Sequence, residues 1–295
     1  MSTLTIVLLS VGGLLGLAVI AYAAFFIRTL RATAKPIPID TRGFVRLAAG
    51  DVPLDSDSPE PAMDVWVPAD APPSDVPRPV VLLVPGDGPD WLLRKAKGWG
   101  MFRSYAELCA ARGWTTVVMN HRSSGSYKRT PGMVQDVRKA LERLRERADE
   151  LGLDPERVVV WTFSGSAGPV LAELISRPVP GVCGLMSFYG FLDLAQWPLR
   201  VPPDVVETYS LPRVLPGLEA LPCPLYLLHA GKDRKPVTKG FDATRQALEG
   251  RDLPVTLRVG AGLKHGFEVL DAPALSEPEI LAGLDFAARC FVGTG

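Results

Sequence analysis

Apolar residues along this chain fall into two alternating patterns, short β-branched runs and longer amphipathic stretches. Runs at Val80–Val84, Thr115–Asn120, Val158–Phe163, Val182–Phe188, Leu225–Leu228 and Val255–Val259 carry few polar positions and predict strands covered on both faces. Gly43–Leu47 and Asp64–Val67 predict an opening antiparallel pair. Between the runs, Phe102–Arg112 and Met133–Leu151 repeat at helical spacing. In the second, Met133, Val137, Leu141, Leu144, Ala148 and Leu151 stripe one face, while the charges of Glu142–Arg147 read as a solvated surface. Strands alternating with helices predict an α/β domain with a mostly parallel central sheet and helices on both faces. Two stretches break the pattern. Val52–Pro79 is proline-rich and acidic and reads as an exposed excursion, and 191–221 is proline-rich and irregular and reads as a short cap over a pocket.

The amino-terminal run Leu4–Ile27 differs in kind, because it contains no charged residue. At about 1.5 Å per helical residue it is long enough to cross a hydrocarbon core of about 30 Å, so it predicts one transmembrane helix. Ala21-Tyr22-Ala23 also suits a signal-peptide cleavage site, the rival reading. Arg28, Arg31 and Lys35 follow the run, and basic residues stay cytoplasmic, which predicts a single-pass protein with its folded domain facing the cytoplasm. Gly12 and Gly16 give one GxxxG spacing, too common in apolar helices to fix an oligomeric state. The expected organisation is an anchor at 1–29, a juxtamembrane linker at 30–42 and an α/β domain at 43–295.

Composition narrows the classes further. Lys+Arg and Asp+Glu balance at 32 each, so no basic excess points to a nucleic-acid partner. With 47% hydrophobic residues over 295 positions, the chain has enough apolar material for one large core. Cys109, Cys183, Cys223 and Cys290 sit in apolar elements without metal-type spacing and read as small buried hydrophobes.

The richest segment for chemistry runs from Val158 to Gly168, where an apolar strand stops at Ser164-Gly165-Ser166-Ala167-Gly168 and a helical pattern follows through Val170, Leu171, Leu174 and Ile175. A strand, a tight turn of small residues and a helix are what a chain needs to project a nucleophilic hydroxyl. Ser166, flanked by Gly165, Ala167 and Gly168, is the candidate nucleophile, with Ser164 standing two residues before it where glycine is usual. Pro169 suits the first helical turn. A serine needs a base, and the chain has three histidines. His265 lies in the glycine-flanked loop Gly260–Phe267 and is the first candidate; His121 and His229 also stand at strand ends. A carboxylate must orient the imidazole. Asp233, after the strand Leu225–Leu228, fits that role, with Asp193 as the rival and turn capping as the ordinary reading of both.

The order Ser166, Asp233, His265 resembles the α/β-hydrolase superfamily, in which nucleophile, acid and histidine follow in that sequence. The resemblance covers about residues 40–295. It is most similar to the dienelactone hydrolase and acyl-esterase branch, through the elbow around Ser166, Ala230-Gly231-Lys232-Asp233 before Pro236-Val237, and Gly260-Ala261-Gly262 ahead of His265-Gly266-Phe267. Dienelactone hydrolases proper use cysteine where this chain has serine. The resemblance implies an oxyanion hole built from the Ala167 amide and a second amide from Gly86 or Asp87, in Pro85-Gly86-Asp87-Gly88. It implies a serine hydrolase that cleaves a small-molecule carboxylic ester, or a thioester or amide, through an acyl-enzyme, needing no metal or organic cofactor; with the amino-terminal run, the expectation is a membrane-anchored one. The contrasting expectation is a catalytically silent member of the fold that serves as a membrane-tethered binding or scaffolding protein.

Overall fold

The computed structural model describes residues 27, 31, 35–38, 47–55, 58–68 and 76–293. Of the expected anchor at 1–29 only Ile27 is described, and of the expected linker at 30–42 only residues 31 and 35–38; the rest of both lies outside the described residues. Among the described residues no helix is long and apolar enough to cross a membrane.

Among the described residues eight strands form one sheet: β1 (Leu47–Asp55), β2 (Ser58–Pro68), β3 (Arg78–Val84), β4 (Thr115–Met119), β5 (Leu153–Phe163), β6 (Val182–Phe188), β7 (Leu225–Ala230) and β8 (Val255–Gly260). Their order is β1-β2-β4-β3-β5-β6-β7-β8. β1 pairs antiparallel with β2, and β2 antiparallel with β4. From β4 onward every pairing is parallel. The longer helices are α1 (Gly100–Ala110), α2 (Thr130–Glu146), α3 (Ala167–Ser176), α4 (Pro203–Tyr209), α5 (Lys235–Ala247) and α6 (Pro273–Val292).

Side-chain alternation explains why the central strands read as continuous apolar runs. Val80, Leu82, Val84, Val158, Val160, Leu185, Leu225 and Leu227 point to one face, where α2, α3 and α5 cover them. Val81, Leu83, Val159, Trp161, Phe163, Met186, Phe188 and Leu228 point to the other, against α1 and α6. With both faces buried, each residue of a central strand gains from being apolar.

Two stretches depart from the sequence expectation. Much of Val52–Pro79 is strand: Met63 and Val65 are buried, and Met63–Trp66 pair with Thr116–Met119. The prolines that masked the strand, Pro53, Pro59 and Pro61, lie in β1 and the part of β2 beyond the β4 pairing, toward the sheet edge where a missing donor is tolerated. The segment 191–221 contains α4, the one-turn helix Leu211–Val214 and two short 3-10 turns. Leu211 and Leu215 are fully buried, in the cluster shared with α3 and α5. Its irregular sequence reflects short helices joined at prolines.

Candidate active site

β5 delivers the decisive residue. The strand ends at Phe163, and Ser164 follows at φ +52°, a left-handed conformation that costs a non-glycine residue about 1–3 kcal/mol. Two backbone donors hold it there: the Ser164 carbonyl accepts from Ala167 N, closing a 3-10 turn, and from Phe191 N at 2.8 Å. α3 begins immediately afterward, so the turn lies at the helix amino terminus.

The Ser164 hydroxyl lies 2.7 Å from His265 Nε2. His265 Nδ1 lies 2.6 Å from Asp233 Oδ2, and Asp233 Oδ1 accepts from Arg234 N at 2.7 Å. The Asp233 side chain is fully buried and His265 is 15% exposed. The loops carrying these two groups are laced together where β7 and β8 end: Gly231 N donates to Gly260 O and Lys232 N to Leu263 O, both at 2.8 Å. Lys264 then closes the histidine loop from outside, its amide and its Nζ both reaching the Asp271 carboxylate.

Ser166 is not at this site. It is fully buried, 3.0 Å from Phe163 O and 3.4 Å from Val84 O, so its hydroxyl is spent on the backbone beneath the turn. The serine facing the imidazole is the one two residues earlier, the first residue past the strand. The expected Ala167 donor moves with it, because the Ala167 amide is already bonded to Ser164 O and the residue after Ser164 is Gly165. Gly86 and Asp87 do stand beside the turn. A Cβ on Gly86 would come within 2.9 Å of Ser164 Cβ, and a Cβ on Gly165 within 3.2 Å of Asp87 N. Gly86→Ala is therefore expected to push the loop and Ser164 apart. Hydrolysis of a chromogenic ester should fall by about 100-fold, the cost of a shift on the order of 1 Å at a reacting group, and the urea midpoint should fall by the cost of an overpacked site, about 1–3 kcal/mol.

A polar layer supports the Gly86–Asp87 loop. Asp87 Oδ1 accepts from Ser124 N at 3.0 Å and Oδ2 from the Ser124 hydroxyl, and burial raises the Asp87 carboxyl against the opposing influence of His121 and Ser124. Ser123 N donates to Asp90 Oδ1 at 2.8 Å. The Tyr127 hydroxyl donates to Gly165 O at 3.1 Å, while its ring stacks on Phe191 and meets Trp197 edge-on. Gly125, Ser126 and Tyr127 all have positive φ, so this supporting turn is itself strained. Of this layer only Asp87 was singled out in the sequence, for its amide and not its carboxylate; the nearest signal for the rest was the Ser123-Ser124-Gly125-Ser126 cluster just past β4.

The rival residues have structural partners. His121 faces Pro85 O and Arg122 O at 2.9 Å each, bridging the loops after β3 and β4. His229 stacks on Phe241, and burial lowers its pKa. Asp193 caps the Leu194–Gln196 turn through Ala195 N and Gln196 Nε2. The four cysteines are free thiols, each pushed up by burial. Among the described residues no group of three His, Cys, Asp or Glu side chains is placed to hold a metal ion.

Known proteins resemble this chain in sequence over one stretch and in fold over most of its length. A family model described as BD-FAE matches residues 63–177, the stretch from β2 through the serine turn and α3. A bacterial heroin esterase is 20% identical, with 92% of this chain and 90% of that chain covered, at a TM-score of 0.62. Esterase B from Lactobacillus rhamnosis is 18% identical over 94% of this chain and 97% of its own, at 0.66. Esterase LipW from Mycobacterium marinum is 16% identical over 84% and 83%, at 0.63. Among curated proteins, none matches the sequence. The chain has the α/β-hydrolase fold. At its strand ends a serine, an imidazole and a carboxylate are in contact, the constellation that serine hydrolases use.

Proposed function

We propose that the protein hydrolyses a small-molecule carboxylic ester through an acyl-enzyme on Ser164. The observation that carries this reading is the unbroken chain Ser164 Oγ, His265 Nε2, His265 Nδ1, Asp233 Oδ2, with the serine at a left-handed φ. His265 accepts the Ser164 proton as Oγ attacks the ester carbonyl, and Asp233 holds the ring so that Nε2 faces the serine. The amides of Gly165, next after the nucleophile, and of Asp87, which faces the same turn, receive the negative charge of the tetrahedral intermediate. The imidazolium then protonates the departing alcohol. Water attacks the acyl-serine with His265 again as base, releasing the acid and restoring the hydroxyl.

The esterase names of the three similar structures favour an ester over an amide or thioester. Of the dienelactone hydrolase and acyl-esterase resemblance, the acyl-esterase half suits a serine nucleophile. The test is incubation of the full chain with a fluorophosphonate probe and, separately, with p-nitrophenyl butyrate. Stoichiometric labelling and a burst of p-nitrophenol are expected, and absence of both would discard the reading.

The uncharged run Leu4–Ile27 with Arg28, Arg31 and Lys35 behind it supports a membrane-tethered enzyme whose hydrolase domain faces the cytoplasm. The fluorophosphonate-labelled protein should then sediment with membranes through an alkaline wash. Protease added outside sealed cells should leave the domain intact; its loss would reverse the orientation.

A further inference from the structure

The hydrolytic chain does not use the most deeply buried carboxyl near it. Glu268 lies three residues past His265, on the one-turn helix Phe267–Leu270, and is fully buried. Its Oε1 accepts from two tyrosine hydroxyls, Tyr189 at 2.9 Å from the end of β6 and Tyr105 at 3.0 Å from α1. The Tyr189 ring in turn lies against the His265 imidazole, with centroids 4.7 Å apart and planes tilted by 54°. Tyr189 has φ +41°, and its amide donates to Leu228 O at 2.7 Å, so it too is held in a strained conformation beside the imidazole.

Simple packing does not account for this arrangement. Phe163 and Phe267 lie against Tyr189 and Phe188 packs on Phe267, and an apolar residue at 268 would join them without the cost of burying a carboxyl whose Oε2 has no hydrogen-bond partner.

We propose that Glu268 is a positioning residue of the hydrolytic site, holding the Tyr189 ring against His265 through the Tyr189 hydroxyl and so fixing the plane in which Nε2 faces Ser164. The assignment rests on the reading of Ser164 and His265 as nucleophile and base.

The charges around the carboxyl set the sign of a pH effect. Tyr105 and Tyr189 face it from α1 and β6, Asp271 acts on it from the end of its own helix, Asp233 acts on Tyr189, and Lys264 is paired with Asp271. Burial raises Glu268 to about 7, opposed by its own amide and the two hydroxyls. It is neutral below that pH and ionised above it. The ionised form places a negative charge near the forming imidazolium, so the rate should climb as Glu268 ionises through neutrality.

The experiment measures the rate constant for fluorophosphonate labelling, and kcat and KM for p-nitrophenyl butyrate, from about pH 5 to about pH 9. It compares the full chain with Glu268→Gln, Tyr189→Phe and Tyr105→Phe. Tyr189→Phe should slow labelling and kcat by about 10-fold to 100-fold, the range for a displaced reacting group, at unchanged KM, whereas Glu268→Gln, whose amide oxygen still accepts both hydroxyls, should keep kcat within about 3-fold below neutrality. Glu268→Gln should also remove one ionisation near neutrality from the acid limb. Tyr105→Phe, which leaves the Tyr189 bond in place, should change kcat by less than about 3-fold. Wild-type rates and an unaltered pH profile in both Glu268→Gln and Tyr189→Phe overturn the proposal alone. If Glu268→Gln does not fold, Tyr189→Phe decides. An unlabelled parent enzyme overturns the hydrolase reading and this proposal with it.

Discussion

Ser164→Ala should lower kcat for a chromogenic ester by about 10⁴-fold to 10⁶-fold, the range seen when a hydrolase loses its nucleophile, and should abolish fluorophosphonate labelling. Ser166→Ala should retain labelling at a rate within a few-fold of the parent. The contrast follows from where the two hydroxyls point. Ser164 Oγ is 2.7 Å from the imidazole, whereas Ser166 Oγ is fully buried against Phe163 O and Val84 O. Removing the second hydroxyl forfeits one buried hydrogen bond and costs stability of about 1 kcal/mol, read as a small fall in the urea midpoint. A third variant separates catalysis from strain. Ser164→Gly is as inactive as Ser164→Ala, but at φ +52° glycine adopts the turn without the Cβ penalty, so it should be about 1 kcal/mol more stable than Ser164→Ala. Labelling retained in Ser164→Ala and lost in Ser166→Ala would return the nucleophile to residue 166.

The register error at the elbow shows how far sequence carries such a site. The strand, the turn and the helix were legible because Val158–Phe163 and Val170–Ile175 have different hydrophobic periods. The choice between two serines was not, because the familiar glycines two residues on either side of the nucleophile are absent. Thr162 and Ser166 occupy those places here, each tucked away by bonding its hydroxyl to a backbone carbonyl, Met186 O for one and Phe163 O for the other. A hydroxyl that packs like a small residue reads in sequence like a candidate nucleophile. One signal was available, since the elbow residue is the first after the strand, and the last β residue is Phe163. His265 and Asp233 were legible for a simpler reason: each stands in a short turn after an apolar run, and in a parallel sheet such turns gather at one edge. The Glu268, Tyr105 and Tyr189 cluster was illegible, because it joins residues up to 163 positions apart whose local contexts are those of ordinary core helices and strands. β2 was partly hidden as well, since prolines near an edge signal loop to any local reading.

Asp233→Asn is expected to separate activity from stability more sharply than any other single change. In the parent, Asp233 Oδ2 takes the His265 Nδ1 proton and Oδ1 the Arg234 amide, so both oxygens accept and the ring is held with Nε2 free to receive the serine proton. Asparagine keeps the shape but offers one acceptor and one NH₂ group. With its oxygen kept on the Arg234 amide, the NH₂ faces Nδ1 and selects the tautomer whose proton sits on Nε2, which no longer serves as a base toward Ser164. The negative charge that stabilised the imidazolium is lost at the same time. Together these should reduce kcat by about 10⁴-fold, as wrong-tautomer variants of such sites do, with KM changed little because the carboxylate lies behind the ring and away from the substrate. Stability should move little in either direction. The variant removes a fully buried charge, which offsets the weaker hydrogen bonds that replace it. Asp193→Asn serves as the control: its oxygen still caps the Leu194–Gln196 turn and only the bond from Gln196 Nε2 is lost, so kcat should stay within about 2-fold while the urea midpoint falls by the cost of one half-exposed hydrogen bond, about 0.5 kcal/mol. Equal losses of activity in the two variants would mean that the imidazole takes its orientation from the acid after β6 rather than the one after β7.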